Sequence, residues 1–330
     1  MSIDIHNHAI PEAVLDLVTS DPVYGVEVVD GKWRSGNIEN FPLVPAWYDP
    51  EAKLREMDGK KLDRAVISAA PKPLYFYELP AGPQRRVADV TNAGLADFCS
   101  GHPDRLRWMA HVPLGFPDIA AEMLRAAAET GASGVEIGTT AAGRQLDDES
   151  FAPFWSAVDD LALPVFLHPA YERDLPEYET YRLGVVTGLP VAVTVAVERI
   201  ICARLFDKYP RLTVVAALGG GFFPYNEGRL RHYASISADL ADSPRDPWSC
   251  VGRLKFDSFL HDVHALRFLI GKAGPENVLV GTDCSFLSAS VDPIGDLSEV
   301  TGADKASFDL VAEGNAQSLF WSYVPGVISG

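Results

Sequence analysis

After Met1 the chain opens with the stretch Ser2-Ile3-Asp4-Ile5-His6-Asn7-His8-Ala9-Ile10. On a strand, side chains alternate between two faces, so Asp4, His6 and His8 would share one face and the two isoleucines the other. Two neighbouring imidazoles on one face can bind the same ion, since neutral imidazole is a ligand for zinc, iron, nickel and copper. One surface and one packing histidine would also fit. The stretch therefore predicts half of a metal site and requires further ligands downstream.

Length and charge narrow the class of protein. The chain has 330 residues, of which 47% are apolar, so it can bury either two cores or one large α/β barrel. Its formal net charge is −17, and nucleic acids and anionic membrane surfaces are themselves negatively charged. We therefore expect no nucleic-acid partner and no membrane partner, and a small molecule as the substrate.

The cysteines and apolar runs predict a cytoplasmic protein. The four cysteines lie far apart, without a Cys-x-x-Cys pair or a secretory signal ahead of them, which favours reduced thiols. The longest apolar run, about Val185 to Ile201, is interrupted by Gly188 and Pro190 and carries Glu198 and Arg199, so we predict no membrane span. The cysteines are Cys99, Cys202, Cys250 and Cys284.

Eight short apolar segments alternate with helical patterns. This alternation predicts a (β/α)8 TIM barrel as a single domain over residues 1–330, with a doubly wound open sheet as the alternative. Residues 20–49, rich in Gly, Pro and Asn, predict a long irregular inserted loop. The predicted strands are the opening stretch, Arg64–Ala69, Leu106–Val112, Gly134–Gly138, Pro164–His168, Leu212–Leu218, Leu254–Ser258 and Asn277–Thr282.

Two more polar residues follow predicted strands at their carboxyl ends, where barrels carry their chemistry. His168 ends the fifth strand and Asp283 directly follows the eighth. With His6 and His8 they would bring three nitrogens and one oxygen together, leaving a position for water, as in catalytic metal sites. Singly, His168 also fits a loop histidine and Asp283 a helix N-cap ahead of Ser285. Together they predict a metal site.

The motifs resemble, in order along almost the whole chain, the amidohydrolase superfamily, in the branch of aminocarboxymuconate-semialdehyde decarboxylase and related aromatic-acid decarboxylases. The resemblance implies a (β/α)8 barrel with one divalent metal ion, zinc first and manganese as the alternative, held by His6, His8, His168 and Asp283. The matching segments are Ile3 to Pro11, Asp49-Pro50, Arg55 to Asp58, Gly134 to Gly138, Leu167 to Pro169, Gly219 to Gly221, Pro224, Gly228-Arg229, His261-Asp262 and Gly281 to Asp283.

The sequence departs from the family pattern at three places, one that concerns proton transfer and two that concern the substrate. The resembled decarboxylases have a proton-handling histidine before the glycine run, where this chain has Leu218. An apolar side chain neither takes nor gives a proton. The family's arginine is missing before Trp47, and its Asp-Tyr-Pro-Phe reads Asp283-Cys284-Ser285-Phe286. We therefore expect a substrate other than aminocarboxymuconate semialdehyde.

Four residues are predicted to bind substrate. Arg229 matches an arginine that contacts a substrate carboxylate from a neighbouring subunit, which implies a homodimer; a guanidinium suits bidentate carboxylate binding, and a surface ion pair is the alternative. Phe286 would stack on a flat substrate, or fill a gap. Trp47 and Tyr48 line the pocket or pack the loop. His261 could reach the barrel mouth, although a helix start capped by Asp262 explains the pair equally well.

The function predicted first is a metal-dependent nonoxidative decarboxylase of a small planar unsaturated or aromatic carboxylic acid, with Asp283 as both ligand and catalytic residue. The alternative within the superfamily is a hydrolase or hydratase acting on a carbon–carbon bond, a lactone or a double bond. A third hypothesis is a metal-free, diverged barrel that binds a small ligand; the retained four-ligand set counts against it.

Overall fold

The fold is built on eight parallel strands that follow one another along the chain. The computed structural model describes residues 1–35, 38–170, 176–178 and 180–322. Each strand pairs in parallel with the next. The strands are β1 Ile3–Ala9, β2 Arg64–Ala69, β3 Leu106–Trp108 continued by Ala110–His111, β4 Val135–Gly138, β5 Val165–His168, β6 Val214–Ala216, β7 Leu254–Asp257 and β8 Val278–Leu279.

Backbone hydrogen bonds between the first and last strands close the sheet on itself. The amide of Ile5 donates to the carbonyl of Val280 at 2.9 Å, and the amide of Asp283 donates to the carbonyl of His6 at 2.8 Å. One residue pair further on, the amide of His8 donates to the carbonyl of Cys284 at 2.6 Å. The sheet is thus a closed ring, and the predicted (β/α)8 barrel is confirmed.

Helices follow the strands and cover the outside of the barrel. The helix that begins at Leu189 ends at Cys202, and a short helix, Leu205–Lys208, follows after Arg204, which has a left-handed φ of 57°. The longer helices are α1 Glu12–Ser20, α2 Pro50–Gly59, α3 Ala81–Ser100, α4 Pro117–Glu129, α5 Ala152–Leu161, α6 Leu189–Cys202, α7 Phe223–Ile236, α8 Val263–Ala273 and α9 Pro293–Thr301. Shorter helical turns are Pro71–Leu74 and Lys305–Asp309, with wider turns at Gly184–Gly188, Leu310–Gly314 and Gln317–Trp321.

The strand β1 departs from the regular alternation that the sequence predicts. Its pairing register with β2 shifts between Asp4 and Asn7. Ile5 packs in the same inner cluster as Phe166, and the ring of Phe166 also contacts the ring of His6, with 4.9 Å between centroids. An irregularity of this kind turns consecutive residues to one face. It allows Ile5 to fill the barrel interior while His6 still reaches the mouth.

The insertion at residues 20–49 is more ordered than the sequence reading predicts. Strands Val26–Val29, Lys32–Ser35 and Ile38–Pro42 form an antiparallel sheet, so the prediction of an irregular loop is wrong for this part. The first two strands are joined by Asp30-Gly31, and both residues have positive φ. An Asp-Gly pair is a strong signal for a two-residue hairpin turn because both residues tolerate that geometry.

One helical stretch within the described residues, Gly184–Cys202, is long and apolar enough to cross a membrane by length and composition alone. Several of its side chains belong to the core of the barrel instead. Val193, Val197 and Ile200 are buried. The apolar character of this stretch is therefore explained in part by packing against the other elements.

Candidate metal centre and active-site cavity

The four residues predicted as metal ligands meet at the mouth of the barrel. His6 and His8 come from β1, His168 from the end of β5 and Asp283 from the segment after β8. One ligand atom from each lies within 4.8 Å of the others. His6 and His8 are fully buried, and His168 and Asp283 are nearly buried. The barrel rule therefore brings together residues that are far apart in sequence.

A buried carboxylate fixes the ring of His6. Its Nδ1 donates to Oδ2 of Asp257 at 2.7 Å, which leaves Nε2 directed at the cluster. Burial disfavours the charged ring, but hydrogen bonds and charges of Asp257 and Asp283 outweigh it and raise the pKa of His6 to about 10. The other oxygen of Asp257 accepts from the amide of Gly219 at 2.7 Å. Asp257 thus joins the first ligand to the glycine run after β6.

The other two rings are also oriented through their Nδ1 atoms. His8 Nδ1 lies 3.0 Å from the hydroxyl of Ser68, and His168 Nδ1 lies 3.0 Å from the carbonyl of Pro169. Burial lowers the pKa of His8 to about 4, and burial with the charge of His6 holds the pKa of His168 well below its ordinary value. Both rings are therefore neutral, which is the form that binds a metal.

The carboxylate of Asp283 faces the imidazoles. Its Oδ1 lies 3.4 Å from Nε2 of His6 and 3.4 Å from Nε2 of His8, while its Oδ2 accepts from the hydroxyl of Ser288 at 2.7 Å. Burial acts to raise the pKa of Asp283, but the imidazoles of His6 and His8, which face its carboxylate, hold that pKa well below the usual range. Asp283 is therefore ionised, which is the form in which a carboxylate binds a metal.

These side chains fit a divalent metal. Apart from Oδ1 of Asp283, which lies 3.4 Å from each, the buried Nε2 atoms of His6 and His8 have no hydrogen-bond partner, which is costly for polar atoms unless something else binds them. Three imidazole nitrogens and one carboxylate oxygen make a donor set that suits zinc and manganese alike. Ring nitrogens facing away from the cluster are each held by a neighbour, as is typical for metal-binding histidines.

Glu136 lies close to the cluster but outside it. Its Oε2 is 3.9 Å from Nδ1 of His8, and its Oε1 accepts from the hydroxyl of Tyr75 at 2.8 Å. Burial raises the pKa of Glu136 to about 7. Among the described residues the structure contains one group with metal-ligand geometry, and it does not include Glu136. The arrangement is that of a single-ion site.

A fully buried lysine forms hydrogen bonds to the two segments that carry His8 and Asp283. The ammonium of Lys53, on α2, donates to the backbone carbonyl of His8 at 2.9 Å and to the hydroxyl of Ser285 at 2.8 Å. It also forms an ion pair with Glu56 at 3.3 Å. These bonds connect β1 and the segment after β8 at the two places where ligands emerge.

A cavity of about 530 Å³ opens directly over the cluster. His6, His168 and Asp283 line one side of it. Most of the remaining described wall is apolar, including Leu218, which has a left-handed φ of 54°. The apolar wall consists of Val185, Val186, Leu189, Leu218, Phe259, Leu260 and Phe286. A flat hydrophobic molecule with a polar end directed at the cluster would fit this distribution.

The four residues predicted to bind substrate lie in different parts of the structure. Phe286 lines the cavity, and its ring contacts His8 with 5.6 Å between centroids. Trp47 is fully buried behind Phe286, at 4.8 Å between ring centroids, while Tyr48 lines a different depression beside α1. Arg229 on α7 is exposed, with its guanidinium 5.1 Å from the ring centroid of Tyr233, and it does not line the cavity of its own chain.

The sequence analysis does not predict several residues that contact the cluster or line the cavity. Asp257 ends β7 and could have been found by applying the barrel rule to that strand as well. Ser68 likewise lies near the end of β2. Lys53 carries no such signal, because a lysine in a helix is ordinarily exposed. Arg182, which lines the cavity, follows a stretch without a clear pattern.

Comparisons with known proteins agree with this architecture. The sequence profile of the amidohydrolase family matches residues 3–320. The 2-amino-3-carboxymuconate-6-semialdehyde decarboxylase of Dictyostelium discoideum is 28% identical over 312 residues, covering 90% of this chain and 83% of that protein. The gamma-resorcylate decarboxylase of Rhizobium sp. (strain MTP-10005) is 27% identical over 297 residues, covering 82% of this chain and 86% of that protein.

A solved structure extends the likeness to three dimensions. The dihydroxybenzoic acid decarboxylase of Polaromonas sp. JS666, with bound manganese and the inhibitor 2-nitroresorcinol, has a TM-score of 0.77 and 22% identity, covering 97% of this chain and 96% of that chain. At this identity the likeness establishes the fold. With the family profile spanning nearly the whole sequence, the chain belongs to the amidohydrolase family.

Proposed function

We propose that the protein is a metal-dependent nonoxidative decarboxylase of a small planar aromatic or unsaturated carboxylic acid. The observation that carries the proposal is the cluster of His6, His8, His168 and Asp283 at the base of an otherwise largely apolar cavity. The relatives in the same family that act as decarboxylases support it. A divalent ion bound there would act as a Lewis acid toward the oxygens of the substrate.

The chain's own residues divide the remaining work. The apolar wall, including Leu218 and Phe286, holds a flat ring and excludes water from it. Loss of hydration destabilises a carboxylate beside an apolar surface, while the neutral carbon dioxide that leaves it is not penalised. Asp283 stays ionised between His6 and His8 and keeps their ring nitrogens directed at one point. Asp283 as a catalytic residue remains a prediction.

We infer one ion in this site, zinc or manganese. The three-nitrogen, one-oxygen donor set favours neither strongly, zinc is the ion first expected from the sequence, and the manganese of the dihydroxybenzoic acid decarboxylase supports the second. Elemental analysis of protein grown with both metals, followed by reloading of metal-free protein with each, would identify the ion that restores activity.

We further infer a cytoplasmic homodimer. Arg229 is exposed on α7, next to a row of large apolar side chains that would be unusual on a free surface. A second copy packed here could direct its own Arg229 at the cavity of the first. The four cysteines are unpaired, as expected in a reducing compartment. The exposed side chains are Phe222, Tyr225, Tyr233 and Ile236.

Light scattering coupled to size exclusion would test the dimer. The wild type should elute at the mass of two chains, and Tyr225→Glu should shift it toward one, since burial of a charge at the contact is costly. Val28→Glu, which alters an exposed valine on the small antiparallel sheet, is the control and should leave the mass unchanged. A wild type that is monomeric at all concentrations would contradict the inference.

The activity itself is tested with purified protein reloaded with Mn²⁺ or Zn²⁺ and offered a panel of hydroxybenzoates, carboxylated hydroxybenzoates and muconate-type acids. Carbon dioxide release that disappears with a chelator and returns with the metal is the expected result. If metal-loaded protein releases no carbon dioxide from any of these acids, the proposal fails. Incorporation of oxygen from labelled water without carbon dioxide would instead indicate a hydrolase or hydratase.

A further inference from the structure

A decarboxylase acting in this cavity needs an acid that can give a proton to the product. Replacement of a carboxylate by hydrogen requires one proton at the carbon that loses carbon dioxide. Among the described residues that line the cavity, the side chains with an imidazole or carboxyl group are His6, His168, Asp283 and His261. The first three belong to the metal-ligand cluster, and Leu218, two residues after β6, has no proton to exchange.

The polar atoms of the three cluster residues are already committed to other contacts. Asp283 uses Oδ1 toward the two histidines of β1 and Oδ2 to accept from Ser288. His6 donates its Nδ1 proton to Asp257, and His168 directs Nδ1 at the carbonyl of Pro169. Their remaining nitrogens are the candidate ligand atoms. Of the imidazole and carboxyl groups on the described lining residues, His261 is the one outside these commitments.

The fold brings His261 to the cavity by a defined path. Beyond β7, the amide of Phe259 bonds back to Asp257 at 3.3 Å, and the Phe259 ring lies between two imidazoles, with centroids 5.5 Å from His6 and 4.4 Å from His261. Leu260 packs over the turn after β6 so closely that a side chain on Gly219 would meet it at 2.6 Å.

We propose that His261 is the catalytic acid that protonates the substrate carbon; this rests on the proposed decarboxylase function. The bond between the ring carbon and the carboxylate carbon breaks, and its electron pair stays on the ring carbon as carbon dioxide leaves. The imidazolium of His261 gives its proton to that carbon, forming the new carbon–hydrogen bond. His261 is exposed at the cavity mouth, so the neutral ring then takes a proton from solvent. In total, one carboxylate and one proton are consumed, and one carbon dioxide and one carbon–hydrogen bond are formed.

The two residues of the His261-Asp262 pair have separate roles in this proposal. Asp262 caps α8, accepting from the amide of Ala265 at 2.8 Å. His261 precedes the cap with a left-handed φ of 57°, which histidine and asparagine adopt more readily than most residues. His261→Asn should therefore keep the backbone while removing the ability to transfer a proton.

The test compares His261→Asn with His264→Asn, which changes an exposed histidine on α8 that lies outside the cavity lining. Carbon dioxide release and deuterium incorporation into the matching phenol in D₂O are both measured, with metal content and the dissociation constant of the acid. We expect His261→Asn to lose both reactions by about 100-fold or more, with kcat affected and acid binding within about threefold of wild type. Added imidazole should restore part of the rate, and His264→Asn should match the wild type.

The outcomes separate the two proposals. If His261→Asn keeps kcat and deuterium exchange within about threefold of wild type, the role of His261 is overturned and the decarboxylase function stands. If wild type exchanges deuterium in a manner that depends on His261 but releases no carbon dioxide, the role of His261 is supported and the decarboxylase function is overturned. If wild type does neither, both fall together.

Discussion

The two sides of the cavity are built by different means. On the side of the metal-ligand cluster, each ligand is held by a specific partner: His6 by Asp257, His8 by Ser68 and Asp283 by Ser288. On the side of the apolar wall, Val186 is 64% exposed and Leu218 stands where the resembled decarboxylases have a histidine. None of the three departures from the family pattern changes a predicted ligand, and one of them, Leu218, lies in the apolar wall. The predicted ligands are thus retained, while the wall differs at a position that faces the cavity.

Of the changes made on either side of the cavity, removal of a predicted ligand should have the largest effect on metal binding and activity. Asp283→Ala deletes the carboxylate that faces both histidines of β1. We expect loss of the bound metal and a fall in carbon dioxide release of about 1,000-fold or more, since Lewis-acid stabilisation contributes several kcal/mol and each 1.4 kcal/mol is about tenfold in rate. Elemental analysis and a rate assay measure the two effects. Asp309→Asn, in an exposed pair with Lys305, is the control that should retain both.

Removal of a supporting carboxylate should have a smaller effect on the same side. Asp257→Asn keeps the shape of the side chain but weakens the bond to Nδ1 of His6. We expect metal affinity to fall by about 10- to 100-fold, as is typical when the partner of a metal-binding histidine is replaced. Competition with a coloured chelator measures it. Asp262→Asn keeps a good helix cap and should leave affinity unchanged; an equal loss in both variants would contradict the orientation argument.

The raised pKa of His6 predicts a proton exchange on metal binding. In the metal-free protein His6 is protonated below about pH 10, because Asp257 and Asp283 outweigh the effect of burial. A metal must displace that proton, so affinity should rise with pH, by at most about tenfold per unit between pH 7 and 9, and weaken as pH falls. Calorimetry in two buffers of different ionisation enthalpy counts the protons released. A binding enthalpy independent of the buffer would contradict the protonated state of His6.

A change in the apolar wall should have the smallest effect. Phe286→Leu keeps an apolar surface but removes the ring that lies beside His8. We expect KM for an aromatic acid to rise by about 2- to 10-fold, the range of an aromatic contact, with little change in metal content. Steady-state kinetics measure it. Phe116→Leu, at the start of α4 and outside the cavity lining, should behave as wild type. A loss of metal in Phe286→Leu would erase the distinction between the two sides.

The barrel and its ligand set could be predicted because each rests on a local pattern. The strands alternate with helices, and the four candidate ligands lie in the second half of the first strand, at the end of the fifth and just after the eighth, so the rule that barrels carry their chemistry at the carboxyl ends of strands was sufficient. The confirmed fold then brings them within 4.8 Å. The ligand role itself remains a prediction that elemental analysis decides.

What the sequence reading missed depends on contacts between distant segments or on weak local signals. Asp257 orients His6 from across the barrel, and Lys53 is buried only because β1 and the segment after Asp283 close over it. The alternation of residues in β1 does not indicate its register shift, which accompanies the packing of Ile5 in the same cluster as Phe166. The hairpin at Asp30-Gly31 is different, since its turn signal was present and the surrounding Gly and Pro content obscured it.

The hydrogen bonds that close the barrel have a consequence for the order of events in the cell. The carbonyl of His6 and the amide of Asp283, two residues of the metal-ligand cluster, bond to each other at the junction of the first and last strands. Asp283 follows His6 by 277 residues in the sequence, so a growing chain cannot bring the four predicted ligands together before residue 283 has been synthesised. Contacts between such distant segments are slow to form. Binding of a metal by all four residues therefore requires synthesis beyond residue 283, and a chain truncated before that residue would lack both the last predicted ligand and the bond that holds the first strand in place.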